Sequence, residues 1–103
     1  MGTRLQLHSI LKSFTDAVQG QSYFQPQPNV TMVYPAIVYE IDLTDTKFAD
    51  NKPYSRTDRY QVTIIDRNPD TDLRNKVAAL PMCTFRRRFA TSGLNHYIFD
   101  LYF

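Results

Sequence analysis

The chain has 103 residues, of which 43% are hydrophobic and 21% are charged, with a formal net charge of +2. This length suits one domain with a simple core, and so small a net charge does not by itself indicate a nucleic-acid partner. The sequence also has neither a signal-peptide pattern nor an apolar run long enough to cross a membrane, so we expect a single globular domain compatible with the cytoplasm and without membrane contact.

The first predicted element is a helix that begins after Thr3. Thr3 and Gln6 have the spacing of a capping box, and Gly20 is well placed to end the helix. Hydrophobic residues recur between them at helical spacing, namely Leu7, Ile10, Leu11, Phe14 and Val18. The pattern predicts a helix of about 16 residues that lays one apolar stripe on a sheet.

The next segments predict a linker and two strands. Residues 21–34 contain Pro26 and Pro28, which exclude a helix and disfavour a central strand, so we predict a surface linker. Hydrophobic residues then alternate within 34–43 and 55–66, as in half-buried strands. The polar connection 44–54 is longer than an ordinary hairpin turn, which predicts a protruding loop that reaches a partner.

A second helix and a second pair of strands complete the chain. Polar residues before Leu73 provide helix-start signals, Leu73, Val77 and Leu80 share a face, and Pro81 closes the helix. Segments 83–90 and 96–103 read as antiparallel strands around a turn. The last strand is apolar on both faces, as in a central strand or an interface. We therefore predict an α+β domain with one mostly antiparallel sheet of about four strands, two helices packed on it and a long hairpin loop.

The sequence contains no recognisable catalytic, metal or cofactor motif. Three glycines do not form a phosphate-binding loop, and His8 and His96 are the only histidines, without a cysteine cluster for zinc. Ser92, His96 and Asp100 lie on a turn and a strand, whereas a Ser-His-Asp nucleophile sits on a sharp elbow. We expect Cys83 to be a buried small hydrophobe. The predictions are a non-enzymatic protein and no cofactor.

Two charged segments leave alternatives open. Asp42, Asp45 and Asp50 could converge on a hard cation, although interspersed lysines favour a solvated mixed-charge loop. Strand alternation predicts Arg86 and Arg88 on one face and Arg87 on the other, with Phe85 and Phe89. Arg86 and Arg88 then contact nucleic-acid phosphate, pair with carboxylates of a neighbouring subunit, or remain solvated.

Five segments carry a family resemblance. They are YPAIVYE at 34–40, ADNKPY at 49–54, RYQVTIID at 59–66, LNH at 94–96 and FDLYF at 99–103. In this order and spacing they resemble the small tail-completion proteins of long-tailed bacteriophages, usually described as tail terminators or minor head-tail connector proteins. The first helix agrees with this family in position and character.

The resemblance implies a structural virion protein at the head-proximal end of the tail, assembled in the host cytoplasm. Such a subunit forms a ring, commonly a hexamer, on the last ring of the tail tube, stops tube polymerisation and offers a docking surface to the head. The implied partners are copies of itself, the tail tube protein and a head-completion or neck protein, with DNA only passing through. The alternatives are another neck component, such as a stopper or adaptor, or a small nucleic-acid-binding domain that uses Arg86, Arg88 and aromatic residues such as Tyr97.

Ring subunits meet through unlike surfaces, so a mixed-charge segment can satisfy its charges across the joint. Phe48 and Tyr54 are aromatic anchor candidates there. The predicted subunit or tube interface comprises Asp45, Lys47, Phe48, Asp50, Lys52, Tyr54, Arg56, Asp58 and Arg59, with Arg86 and Arg88 as a possible lumen or neighbour contact.

Overall fold

The computed structural model describes residues 3–27, 31–49, 52–68 and 70–103, with backbone pairing alone for 43–49 and 52–57. Across these ranges the elements are α1 (Arg4–Asp16), β1 (Gln21–Phe24), β2 (Ala36–Ala49), β3 (Lys52–Asp66), α2 (Asp72–Ala78), β4 (Cys83–Thr91) and β5 (Leu94–Tyr102). The strands form one sheet in the order β1-β2-β3-β5-β4. The predicted α+β class, with two helices on one sheet, is confirmed.

The capping box at the start of α1 is confirmed. The Thr3 hydroxyl accepts a hydrogen bond from the Gln6 amide at 3.2 Å, and the Gln6 side chain accepts one from the Thr3 amide at 2.8 Å. The helix ends earlier than predicted, at Asp16, where the Gly20 amide donates back to the Thr15 carbonyl at 2.8 Å. Val18 therefore lies beyond the helix and is exposed rather than part of the stripe.

Position 20 requires glycine because there is no room for a side chain, and not because the backbone has an unusual φ angle. The left-handed residue of this turn is Gln19, with φ of 59°, whereas a Cβ on Gly20 would collide with the carbonyl oxygen of Pro35. That carbonyl accepts the Gln21 amide at 3.1 Å, where β1 meets β2. Gly20 therefore holds α1 close to the start of the sheet.

We expect Gly20→Ala to lower the free energy of unfolding by about 1–3 kcal/mol, because the added methyl group must push the backbone of Pro35 away. Urea denaturation measures this change. Gln19→Gly is the matched control one residue earlier, and it should hold or raise stability because glycine tolerates a positive φ. If Gln19→Gly lowered the free energy of unfolding as much as Gly20→Ala, the close contact of position 20 with Pro35 would not be the reason for the glycine.

The first strand lies within the segment predicted to be a linker, so that prediction is wrong for residues 21–24. β1 ends before Pro26 and pairs in parallel with β2, from Gln21↔Ala36 to Phe24↔Tyr39. Proline blocks a ladder only where it stands, so the prolines did not preclude a short strand before them. This strand makes the sheet mixed and raises the strand number from about four to five.

The predicted long loop between the two central strands is also wrong. β2 and β3 remain paired from Thr44↔Asp58 to Ala49↔Lys52, across most of the segment expected to be irregular. Antiparallel pairing requires only backbone hydrogen bonds, whereas hydrophobic alternation detects a strand with one buried face. A polar segment can therefore lack the hydrophobic alternation of a strand in its sequence and still form a paired strand.

The core lies between the two helices and one side of the sheet, which we call the helix face. Among the side chains that the structure describes, twelve buried ones form it: Leu7, Leu11, Ile37, Tyr39, Tyr60, Val62, Ile64, Leu73, Val77, Tyr97, Phe99 and Leu101. The opposite side, the open face, carries alternate residues such as Gln61, Thr63, Ile98 and Asp100. β5 lies between β3 and β4, which is the central position given as one alternative for the last strand, but the helices cover only one of its two faces.

The second helix begins as predicted but ends at Ala78, before Leu80 and Pro81. Leu80 therefore lies beyond the helix, where it is partly buried against the core. The Thr71 hydroxyl accepts the Leu73 amide at 3.3 Å as the N-cap, and Leu73 and Val77 are fully buried on the helix face. In the described ranges, no helix combines the length and apolar content needed to cross a lipid bilayer.

Candidate functional site

The outer half of the β2–β3 hairpin extends beyond the rest of the sheet. β1 stops pairing with β2 at Tyr39, and β5 begins to pair with β3 at Arg59. Residues 44–49 and 52–58, which we call the ribbon, therefore have only each other as strand partners within the described chain, although the Phe103 amide also donates to the Asp58 carbonyl at the base. The molecule is elongated and measures 51 × 29 × 24 Å along its principal axes.

A charged clamp holds the base of the ribbon. The ladder shifts register between Ile41 and Leu43, which makes Asp42 an extra residue of a β-bulge. Its carboxylate accepts two hydrogen bonds from Arg59, at 2.9 Å from Nε and 3.2 Å from Nη2. This contact with Asp42, foremost among the causes, raises the pKa of Arg59 further above its ordinary value. The bidentate geometry fixes the direction in which the ribbon leaves the sheet.

The structure places the residues of the predicted interface at different levels of detail. It assigns backbone positions in the ribbon to Asp45, Lys47, Phe48, Lys52, Tyr54 and Arg56, while their side chains and the whole of Asp50 lie outside the described residues. Asp58 is partly buried, and its carbonyl accepts the Phe103 amide at 3.3 Å. Arg59 is held by Asp42 at the base. A contact role for this set stays a prediction.

The predicted orientation of the three arginines in β4 is wrong. The register shifts between Phe85 and Arg87, so Arg86 is the extra residue of a second bulge. Arg86 turns to the open face, where its Nη1 lies 3.6 Å from Asp100 Oδ1 and 3.4 Å from Gln61 Oε1. Arg87 pairs with Ile98 of β5 and therefore also points to the open face. A bulge interrupts the strict alternation on which the prediction depended.

The remaining β4 side chains divide accordingly. Phe85 packs its ring edge-on against Phe99 on the helix face, with centroids 5.3 Å apart, so its predicted pairing with Arg87 is wrong. Arg88 donates to the side-chain oxygen of Asn95 at 2.7 Å, in the row that also contains Tyr97. Arg86 and Arg88 therefore do not form one contact surface.

The two open-face arginines border a cavity of about 330 Å³, lined also by Gln61 and Ile98. Ile98 is only 5% exposed and is the apolar member of the lining. Beside the cavity, Arg87 lies 5.5 Å from the ring centre of Phe89. Phe89 in turn stacks on His96, with centroids 4.5 Å apart and an interplanar angle of 8°. The open face thus combines guanidinium groups, a carboxamide and an aromatic stack.

The residues considered for chemistry do not come together. His96 and Asp100 share the open face, but four residues of a strand separate their backbones by about 13 Å. Within the described chain, His96 Nδ1 and Asp100 Oδ1 are both buried without a hydrogen-bond partner. His8 lies elsewhere, with its Nδ1 2.6 Å from the buried Tyr39 hydroxyl. No group of three potential metal ligands occurs among the side chains that the structure describes, which do not include those of Asp45 and Asp50.

Cys83 has the environment expected of a small hydrophobe. It packs against the core from the start of β4 and is partly buried. Burial, with a smaller contribution from the charge of Asp100, raises the pKa of its thiol from an ordinary 9.0 to about 11. The nucleophilic thiolate is therefore scarce at neutral pH.

Sequence reasoning missed several residues that build the open face, namely Asp42, Gln61, Asp100 as a partner of Arg86, and Arg87 as a cavity residue. Their sequence signal is weak, because each bulge arises from the way one strand of a hairpin aligns with the other. Only the cluster of arginines itself marked this part of the chain. The chain matches no protein-family model and no curated protein.

Proposed function

We propose that this chain is a tail terminator of long-tailed bacteriophages, a non-enzymatic virion protein that forms a ring at the head-proximal end of the tail tube. The five resembling segments between residues 34 and 103 support this assignment. The α+β fold agrees with the fold that the resemblance implies. In this role the ring stops tube growth and receives the neck of the DNA-filled head.

The ribbon is the observation that carries the proposal. Beyond Tyr39 and Arg59, β2 and β3 have no further strand beside them within the described chain. An isolated two-stranded hairpin is only marginally stable in water, because it lacks a surface on which to bury side chains. A neighbouring subunit or the rim of the tube provides such a surface. A projecting ribbon of this kind suits a protein that works by assembly.

The sheet also has the asymmetry that a ring requires. Its two outer strands differ, since one edge is the short β1 with the distal part of β2 and the other is β4. Subunits in a closed ring meet through two unlike surfaces, one from each neighbour. We infer that the partners are further copies of the chain, commonly six, together with the tube protein and a neck protein. DNA passes through the ring without sequence-specific contact.

Imaging of assembled particles tests the location. A copy carrying a small electron-dense label at Ser92 or Gly93, in the exposed β4–β5 turn, should give density at the junction of tail and head, with ring symmetry. A labelled tube protein is the control for density along the tail. Label along the tube or at the distal tip would reject the terminator assignment.

Two further results favour the alternatives. Binding to DNA-filled heads without tails, but not to finished tails, indicates a stopper or adaptor of the neck. Salt-sensitive binding of DNA by the isolated subunit indicates a nucleic-acid-binding domain. Two observations weigh against the latter, because Arg86 and Arg88 face opposite sides and Tyr97, named as a stacking residue, is only 4% exposed.

A further inference from the structure

We propose that the cavity beside the β4 bulge binds one carboxylate side chain of an extended protein segment, with Arg87 as the main ligand and Arg86 as the second. This site is on the open face, separate from the ribbon, and does not depend on the function proposed above. In this proposal the β-bulge at Arg86 creates the binding site.

The bulge brings the two guanidinium groups together. In a regular strand, consecutive residues point to opposite faces, but the extra residue at Arg86 leaves Arg86 and Arg87 on the same side. Both line the cavity of about 330 Å³, which falls at the lower end of the range for small ligand sites. Ile98 provides an apolar lining and Gln61 a carboxamide. The space suits a short acidic side chain.

Both arginines retain donors for a ligand. Arg87 has the ring of Phe89 beside it at 5.5 Å and no hydrogen bond or ion pair within the described chain. Arg86 forms an ion pair with Asp100, at 3.6 Å from Nη1 to Oδ1, and the same Nη1 donates a long hydrogen bond of 3.4 Å to Gln61 Oε1. Its Nε and Nη2 donate no hydrogen bond within the described chain. Each guanidinium has five donors in a planar fork that matches the two oxygens of a carboxylate.

The charges around the cavity favour a single carboxylate over a nucleic-acid strand. Among the side chains that the structure describes, three acidic and three basic ones share this face, namely those of Glu40, Asp42 and Asp100 with those of Arg59, Arg86 and Arg87. A phosphate backbone spanning the face would approach the acidic groups as closely as the basic ones. A single carboxylate is attracted by the local net positive charge, because two guanidinium groups lie beside only one acidic group, Asp100.

The position of β4 favours an extended segment as the source of that carboxylate. β4 pairs with β5 on one side, and no strand of the described chain lies on its other side. A peptide added at such an edge satisfies the backbone and presents alternate side chains to each face. One of those side chains then reaches the cavity beside Arg87.

The test uses the whole protein and a capped pentapeptide with a central glutamate between valines and threonines. Titration followed by NMR of the arginine Nε–H groups should give saturable shifts for Arg86 and Arg87. Arg87→Gln should weaken binding about tenfold, as expected for loss of a charge-assisted hydrogen bond. Arg88→Gln is the matched control, and it should leave the affinity unchanged because Arg88 bonds Asn95 on the other side. Circular dichroism confirms that both exposed-site variants fold.

Four outcomes overturn the proposal. Equal affinity for the matching glutamine peptide shows that only the strand edge is recognised. Unchanged affinity in Arg87→Gln removes that residue from the site. Tighter binding of a short DNA duplex, lost in the same variant, identifies a phosphate contact instead. If no peptide shifts either arginine, the charges serve only to protect an exposed edge from aggregation.

Discussion

Replacing Phe99 by alanine is expected to lower the free energy of unfolding by about 3–5 kcal/mol, the range found for large buried aromatic residues. Phe99 is fully buried in β5, near the middle of the helix face. Its ring also contacts Phe85 edge-on at 5.3 Å, an arrangement with energy beyond simple burial. Urea denaturation followed by circular dichroism measures the loss.

Phe14→Ala is the matched comparison, since it removes the same side chain from a less buried position. Phe14 lies at the margin of the core and is only partly buried, so we expect a smaller loss of about 1–2 kcal/mol. The apolar stripe by itself placed Phe14 among the core residues of the helix, but Leu7 and Leu11 take the fully buried positions. Equal losses for Phe14→Ala and Phe99→Ala would contradict this ranking.

Removing the ribbon is expected to abolish assembly while the subunit stays folded. The variant replaces residues 45–57 with Asn-Gly, which joins the paired residues Thr44 and Asp58 through a two-residue turn. All the core residues that the structure identifies lie outside this segment. We expect the free energy of unfolding to stay within about 1 kcal/mol of that of the parent protein. We also expect no association with tail tubes, which co-sedimentation and electron microscopy of tail length measure.

A shorter deletion tests whether association weakens in proportion to the length of ribbon removed. Replacing residues 47–55 with Asn-Gly joins the pair Thr46 and Arg56 in the same register and should retain weak association if contact runs along the ribbon. Full assembly by the longer deletion would refute an assembly role for the ribbon. A folded but assembly-deficient protein with the longer deletion, together with normal particles from Arg87→Gln, would separate the ribbon from the open-face site.

Local sequence signals predicted the elements whose stabilising contacts are close in the chain. The Thr3 and Gln6 capping box spans one helical turn, and the Thr71 cap needs only Leu73 two residues later. The β4–β5 hairpin was also predicted, from the turn-like segment 91–95, and its turn lies at Ser92 and Gly93, both with positive φ. In each case the decisive hydrogen bonds join near neighbours, so residue type alone is informative.

The candidate site was predicted only as a set of charged residues. Arginines in β4 and a mixed-charge segment between β2 and β3 were recognised, but neither orientation nor pairing followed from them. Arg86 reaches the open face because β4 shifts register against β5, and Arg59 is fixed because Asp42 bulges on β2. A bulge depends on how the two strands of a hairpin align along their whole length, and the residue types around it do not encode that alignment.

By itself, then, the sequence determined the α+β class, the helix starts and the strand-like alternation of hydrophobic residues within 34–43 and 55–66. Only the tertiary structure decided that residues 44–49 and 52–58 form a paired ribbon, that β1 joins the sheet beside β2, and that Arg86 and Arg87 share one cavity. The physical reason is the range of the forces involved. Caps and apolar periodicity act within a few residues, whereas strand register is set by backbone hydrogen bonds between segments far apart in the chain.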